Sequence, residues 1–179
     1  MTLKERYNKE IRPSLANSLG IKNPMALPKV VSVTVAVGLS QGLKDPKFIE
    51  IAESVVTRIT GQKPVKTKAK ISISNFKIRQ GMVVGLCVTL RGERMWSFLD
   101  KLLNVTFPRV RDFRGISSKL LDKSGNMSIG FKEFLPFPEI RPEEIERVHG
   151  LQVTISTTAG NKKVGEALFT ALGFPFKKD

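Results

Sequence analysis

The sequence predicts an α+β domain: a mostly antiparallel or mixed sheet, with helices packed on one face and the other face left open. Three observations predict it. Apolar residues alternate with period two in four separated runs, 29–38, 65–74, 83–91 and 151–158. They recur three and four apart in four others, 3–15, 45–60, 93–105 and 161–172. The two kinds of run mix without a strict strand–helix–strand rhythm, internal repeat or low-complexity linker. At 179 residues the chain suits a single domain, 1–179, with a real core.

The first helix, within 1–20, sets Leu3, Tyr7, Ile11 and Leu15 four apart with Lys4, Arg6, Lys9 and Arg12 between them. Pro13 should cap or break it. Asn23-Pro24 and Pro28 punctuate the chain before a strand at 29–38. There Val31, Val33, Val35 and Val37 face the core, and Ser32, Thr34 and Ala36 face the other way. That second face is small and flat, which leaves room for another molecule. Asp45 as cap and Pro46 at the first helical position open a helix. It buries Phe48, Ile49, Ala52, Val55, Val56 and Ile59, and stops at Gly61.

In the run 65–74, Val65, Thr67, Ala69, Ile71 and Ile73 fall on one side, and Lys66, Lys68, Lys70 and Ser72 on the other. Lysines on one strand face repel one another and call for solvent or a counter-anion. A protruding loop, 74–82, exposes polar and basic groups around Phe76. The strand at 83–91 turns Val84, Leu86, Val88 and Leu90 inward, and Val83, Gly85, Cys87, Thr89 and Arg91 outward. Helix 93–105 buries Met95, Phe98, Leu99, Leu102 and Leu103, with Trp96 at the edge of that stripe. In 107–115 arginines alternate with apolar residues, which reads as an extended segment with its arginines pointing together. The planar guanidinium fork suits phosphate.

The DKSGN turn, 122–126, leads into a short extended run at 127–131. Residues 134–142 are too rich in proline for regular structure, and Pro142 begins a short acidic helix over 143–148. The strand at 151–158 alternates Leu151, Val153 and Ile155 with Gln152, Thr154 and Ser156. Asn161 caps a last helix with Val164, Ala167, Leu168 and Leu172, ended by Gly173 and Pro175.

A net charge of +14 points to a polyanionic partner, either nucleic acid or an acidic membrane surface. Residues 62–114 hold 12 Lys and Arg against Glu93, Asp100 and Asp112, interleaved with apolar residues at folding periods. The single cysteine, Cys87, excludes an intramolecular disulfide and a cysteine-based zinc site, which suits a reducing compartment. With no signal-peptide pattern and no apolar run near the ~20 residues needed to cross a bilayer, the expected location is cytoplasmic.

Catalytic chemistry finds no foothold. His149 stands alone, Cys87 reads as a buried inert thiol, and Glu143, Glu144 and Glu146 suit a helix start. TAGNKKVG lacks phosphate-loop spacing. The expectation is no enzyme, no cofactor and no metal.

Seven runs carry a family resemblance: GQKPVKTKAK (61–70), FKIRQGM (76–82), VTLRGERMWSFLDKL (88–102), PRVRDFRGIS (108–117), SGNMSIGFKE (124–133), FPEI (137–140) and GFPF (173–176). The chain resembles the 5S-rRNA-binding ribosomal proteins of the bacterial large subunit, the fifth in that subunit's series. The resemblance implies a concave sheet face on 5S rRNA in the central protuberance, with helices behind. It also implies contacts to 23S rRNA, to the elbow of the P-site tRNA, to neighbouring large-subunit proteins and to a small-subunit head protein across an inter-subunit bridge. No membrane partner is expected.

By position, Gln62 and Thr89 match residues that such proteins use on 5S rRNA. At a third such position an asparagine is usual; here Val35-Ala36-Val37-Gly38 puts an alanine there, and Ser40 stands for a usual glycine. The expected 5S contact is then either weaker or rerouted through Ser32, Thr34 or Gln41. The expected rRNA-binding set adds Lys63, Lys66, Lys68 and Lys70, then Arg91, Arg94, Arg109, Arg111 and Arg114, and Thr154. The tRNA-contact loop is Ser74, Asn75, Phe76, Lys77, Ile78, Arg79, Gln80 and Gly81.

Two rivals remain on sequence grounds. A non-specific single-strand RNA- or DNA-binding module needs aromatics along the outward faces. A peripheral membrane protein needs bulky apolar anchors on a basic helix, for which 3–15 is the candidate.

Overall fold

The structure, a computed structural model, describes residues 1–40, 46–140 and 148–177. Asp45, Gln41 and, apart from Val148, the short acidic helix expected over 143–148 lie outside the described residues. Five strands carry the fold: β1 (Val30–Gly38), β2 (Val65–Lys68), β3 (Val83–Leu90), β4 (Met127–Phe131) and β5 (Leu151–Thr157). They hydrogen-bond in the order β2-β3-β1-β5-β4. Leu39 N donates to Val84 O, and Thr158 N to Lys29 O. The end of β1 thus meets the start of β3, and its start meets the end of β5, so both neighbours run antiparallel to it. The helices are α1 (3–19), α2 (Pro46–Thr60), α3 (92–109) and α4 (Lys162–Leu172). The expected α+β class is what the chain adopts.

Contacts divide the chain into two units. The first comprises Met1–Val33, Leu90–Ile129 and Thr154–Asp179; the second comprises Thr34–Thr89 and Gly130–Val153.

In the first unit, Leu3, Tyr7, Ile11 and Leu15 form the buried stripe of α1, as their spacing demands. Tyr7 packs against Trp96 of α3 with ring centroids 5.3 Å apart, and its hydroxyl donates to Pro28 O at 2.8 Å. Lys4 pairs with Glu93 at the start of α3.

Pro13 does not end α1, contrary to expectation. The turn before it, Tyr7–Ile11, is wide, and Arg12 N reaches back five residues to Tyr7 O. The ladder is therefore already displaced where the proline has no N–H to give. The same device recurs in α3: Leu102–Thr106 is wide, Phe107 N donates to Leu102 O, and Pro108 follows. This carries α3 beyond the expected end at 105 to Arg109. Phe107, Phe113, Phe169 and Phe174 form an aromatic chain, with neighbouring rings 5.1 to 6.0 Å apart. Phe169, fully buried in α4, was not among the expected core residues, whereas Val164 and Ala167 are only half-buried.

In the second unit, Val35, Val37, Leu86 and Val88 on the strands and Phe48, Ala52, Val56 and Ile59 on α2 form the apolar interior. Phe134 and Phe137, in the proline-rich stretch, are fully buried with them. His149 sits in this interior between Phe134 (4.7 Å) and Phe48 (5.9 Å), so its role is packing. Burial pushes its imidazole pKa below the ordinary value.

One strand departs from strict alternation. Ser32 and Val33 are both buried and Val31 is exposed, so burial does not alternate strictly at the start of β1 and Val31 does not join the core valines.

Candidate nucleic-acid interface

The open face of the second unit is built by parity. Leu86, Val88 and Leu90 point into the core, which leaves Gly85, Cys87 and Thr89 on the other side of β3. Ala36 and Gly38 do the same for β1, and Gln152 for β5. Of these, Ala36, Gly38, Cys87 and Gln152 line an open depression of about 520 Å³ together with Thr67 and Gly150, whereas Gly85 and Thr89 are not part of its lining. Cys87 is half-buried on this face, not a core thiol.

Two glycines shape the surface. A Cβ on Gly85 would sit 2.8 Å from Thr67 Oγ1 and 3.0 Å from Val37 O, so only glycine lets the Thr67 side chain lie across β3. A Cβ on Gly150 would meet Phe131 O at 2.9 Å.

The edge strand β2 corrects the expected lysine face. Val65 pairs with Cys87 and Thr67 with Gly85, so Val65 and Thr67 share the open face. Lys66 pairs with Leu86, a core-side residue, and its ammonium bonds Glu53 Oε2 of α2 at 2.7 Å. Lys63 Nζ lies 3.9 Å from the other oxygen. The Lys66 hydrogen bond holds the Glu53 carboxyl below the usual carboxylate range. The register then slips between Thr67 and Lys68, and Lys68 faces Val83. Parity alone put three lysines together; the pairing separates Lys66 from Lys68.

The expected long strand stops at Lys68. Residues 69–82 form a narrow hairpin, held by Ala69 N to Met82 O (2.8 Å) and closed by reciprocal bonds between Ile73 and Ile78 (2.9 and 3.1 Å). At its tip Ser74–Phe76 make a tight turn, and Lys77 takes the left-handed conformation at φ +55°. Phe76 is 67% exposed and Ile71 73%. Ile71 and Ile73 do not face a core, as the alternation suggested, because this part of the hairpin has no second layer to face. Lys68, Lys70, Lys77 and Arg79 are all exposed, and make no ion pair with a described residue.

The remaining expected residues are spread out. Gln62 is half-buried in the turn after α2, its N–H bonded to Thr60 Oγ1 at 3.3 Å. Thr34 and Thr89 are half-buried on the open side of their strands, whereas Ser32 is buried at 8% exposure. Thr154 belongs to the first unit, where its hydroxyl bonds Ser128 across β4 and β5 at 3.1 Å.

Arg91 and Arg94 are exposed at the start of α3. Arg109, Arg111 and Arg114 are exposed too, but not on one extended segment. Arg109 ends α3, and Asp112 reverses the chain at φ +53°. Thr67 and Gln152 line the depression but are absent from the expected binding set. Gln152 had the visible signal, a polar residue at an outward strand position.

Residues 83–176 match the model of the C-terminus of the ribosomal L5 family, and residues 23–79 match that of Ribosomal protein L5. The chain belongs to the ribosomal protein L5 family. It is 49% identical to Large ribosomal subunit protein uL5 of Bdellovibrio bacteriovorus, over 98% of each chain. The same protein of Dictyoglomus turgidum is 49% identical over 98% of each, and that of Natranaerobius thermophilus 50% over 97% of each. The protein is thus a structural constituent of the large ribosomal subunit. The two L5 matches meet on the return limb of the hairpin, just before β3. The L5-type run 61–70 supplies β2, 76–82 the hairpin, and 88–102 the end of β3 and most of α3. Among the described residues no helix is long and apolar enough to cross a membrane, and no cluster of metal-ligating side chains occurs.

Proposed function

We propose that the protein holds 5S rRNA against the open sheet face, with further contacts to 23S rRNA from the exposed arginines of α3 and the turn after it. The hairpin 69–82 reaches the P-site tRNA, and the assembled subunit meets the small-subunit head through this protein. The observation that carries the reading is a floor of small, uncharged residues flanked by exposed lysines on β2 and the hairpin. Such a floor lets RNA approach the backbone closely while the rim neutralises phosphates.

Neutralising ~5 phosphates gives a log–log salt slope of about −3.5 to −4.5, depending on RNA form. The aromatic ladder of a non-specific single-strand binder is missing from the residues that line the depression. A filter-binding titration tests the proposal. Tighter binding of 5S rRNA than of an unrelated hairpin RNA of equal length is expected, and equal affinity for the two overturns it.

A further inference from the structure

We propose that Gln152 reads the RNA on this face, and that it does so on a single unpaired nucleotide seated in the depression. The inference rests on the RNA-binding reading above and adds the reading residue and the RNA element.

Around the floor, Ala36, Gly38 and Gly150 carry no hydrogen-bonding side chain, and Cys87 carries only a weak one. Gln152 and Thr67 are the strong polar side chains of the lining. The Gln152 side chain is exposed and makes no hydrogen bond to a described residue, and its amide carries two donors and one two-lone-pair acceptor. A carboxamide presents a donor and an acceptor side by side, which is the pattern on the edge of a nucleobase.

Charge decides which part of the nucleotide enters. None of the lining residues is charged, so a phosphate there would lose its water without gaining a counter-charge. The cations lie on β2 and just beyond it, at Lys68 and Lys70. The base therefore sits inward and the backbone runs along the rim. The depression also falls in the ~300–1,000 Å³ range of sites that take small organic groups. A base stacked in an A-form duplex cannot enter such a floor, whereas a base splayed from a loop or bulge can.

Chemical probing of base edges on full-length 5S rRNA tests this. Wild-type protein should protect one unpaired nucleotide. Gln152→Ala and Gln152→Leu should expose that nucleotide and weaken binding about tenfold, with the salt slope and melting temperature unchanged. Adding Ala36→Asn, which returns an amide from the adjacent strand, should recover part of the affinity. Unchanged protection and affinity in both Gln152 variants overturn the proposal but leave the RNA-binding reading standing. A wild-type protein that does not prefer 5S rRNA overturns the reading itself.

Discussion

Lys66 Nζ lies 2.7 Å from Glu53 Oε2, which ties the basic edge strand to helix α2. The pair depresses the Glu53 pKa, chiefly through the Lys66 hydrogen bond. The unfolded chain then binds more protons than the folded one across the acid range, so the pair stabilises above the unfolded carboxylate pKa. That stabilisation is lost as pH falls through the lower folded value. Thermal melts of wild type and Glu53→Gln should differ at neutral pH and converge as pH falls through the lowered folded value.

The same pair sorts the lysines. Lys66 is engaged on the helix side, whereas Lys68 and Lys70 make no ion pair with a described residue. Lys68→Ala and Lys70→Ala should each flatten the salt slope of RNA binding by about 0.7–0.9. Lys66→Ala should change it less. Titrations at several salt concentrations read this directly.

The hairpin tip is separable from the open face. Its closure at Ile73 and Ile78 uses backbone bonds, so the side chains of Phe76, Lys77 and Arg79 are not what holds it. Replacing these three by Ala should weaken retention of peptidyl-site tRNA on ribosomes and leave 5S rRNA affinity within about twofold. Joint loss of both would mark the tip as structural.

Gly165 in α4 touches the DKSGN turn. A Cβ there would lie 2.6 Å from both Cα and O of Gly125, backbone atoms that cannot swing aside. Gly165→Ala should destabilise by roughly 1–3 kcal/mol in denaturant unfolding, despite alanine's better helix propensity.

His149 predicts a second pH effect. Burial lowers its folded pKa, so the unfolded state takes up the proton first. Stability should fall as pH drops from about 6.5 through the folded value. His149→Phe keeps an aromatic ring between Phe48 and Phe134 and removes the unpartnered buried Nε2, so its stability should be flat over that range.

Much of this protein is legible in the order of its residues. The stripe from Leu3 to Leu15, the α2 face from Phe48 to Ile59 and the inward set Leu86, Val88 and Leu90 follow from local periodicity. Helix and strand geometry fix which side chains share a side, so these elements needed no partner to be read. Charge and the L5-type runs likewise pointed to RNA.

What only the tertiary structure decided is which side each strand turns to which neighbour. Parity grouped Lys66, Lys68 and Lys70, but pairing with β3 and a register slip at Thr67/Lys68 sent Lys66 to Glu53 and Lys68 opposite Val83. Alternation gave Ile71 and Ile73 an inward side, yet an inward side exists only where a second layer covers it. Pro13 read as a cap or break in α1, and 105 as the end of α3, until the wide turns before Pro13 and Pro108 absorbed the missing donor. Gln152 and Ala36 lie far apart in sequence, and strand order alone brings them to one floor. Local periodicity sets the faces of each element, but register, layering and strand order depend on residues far away in the chain.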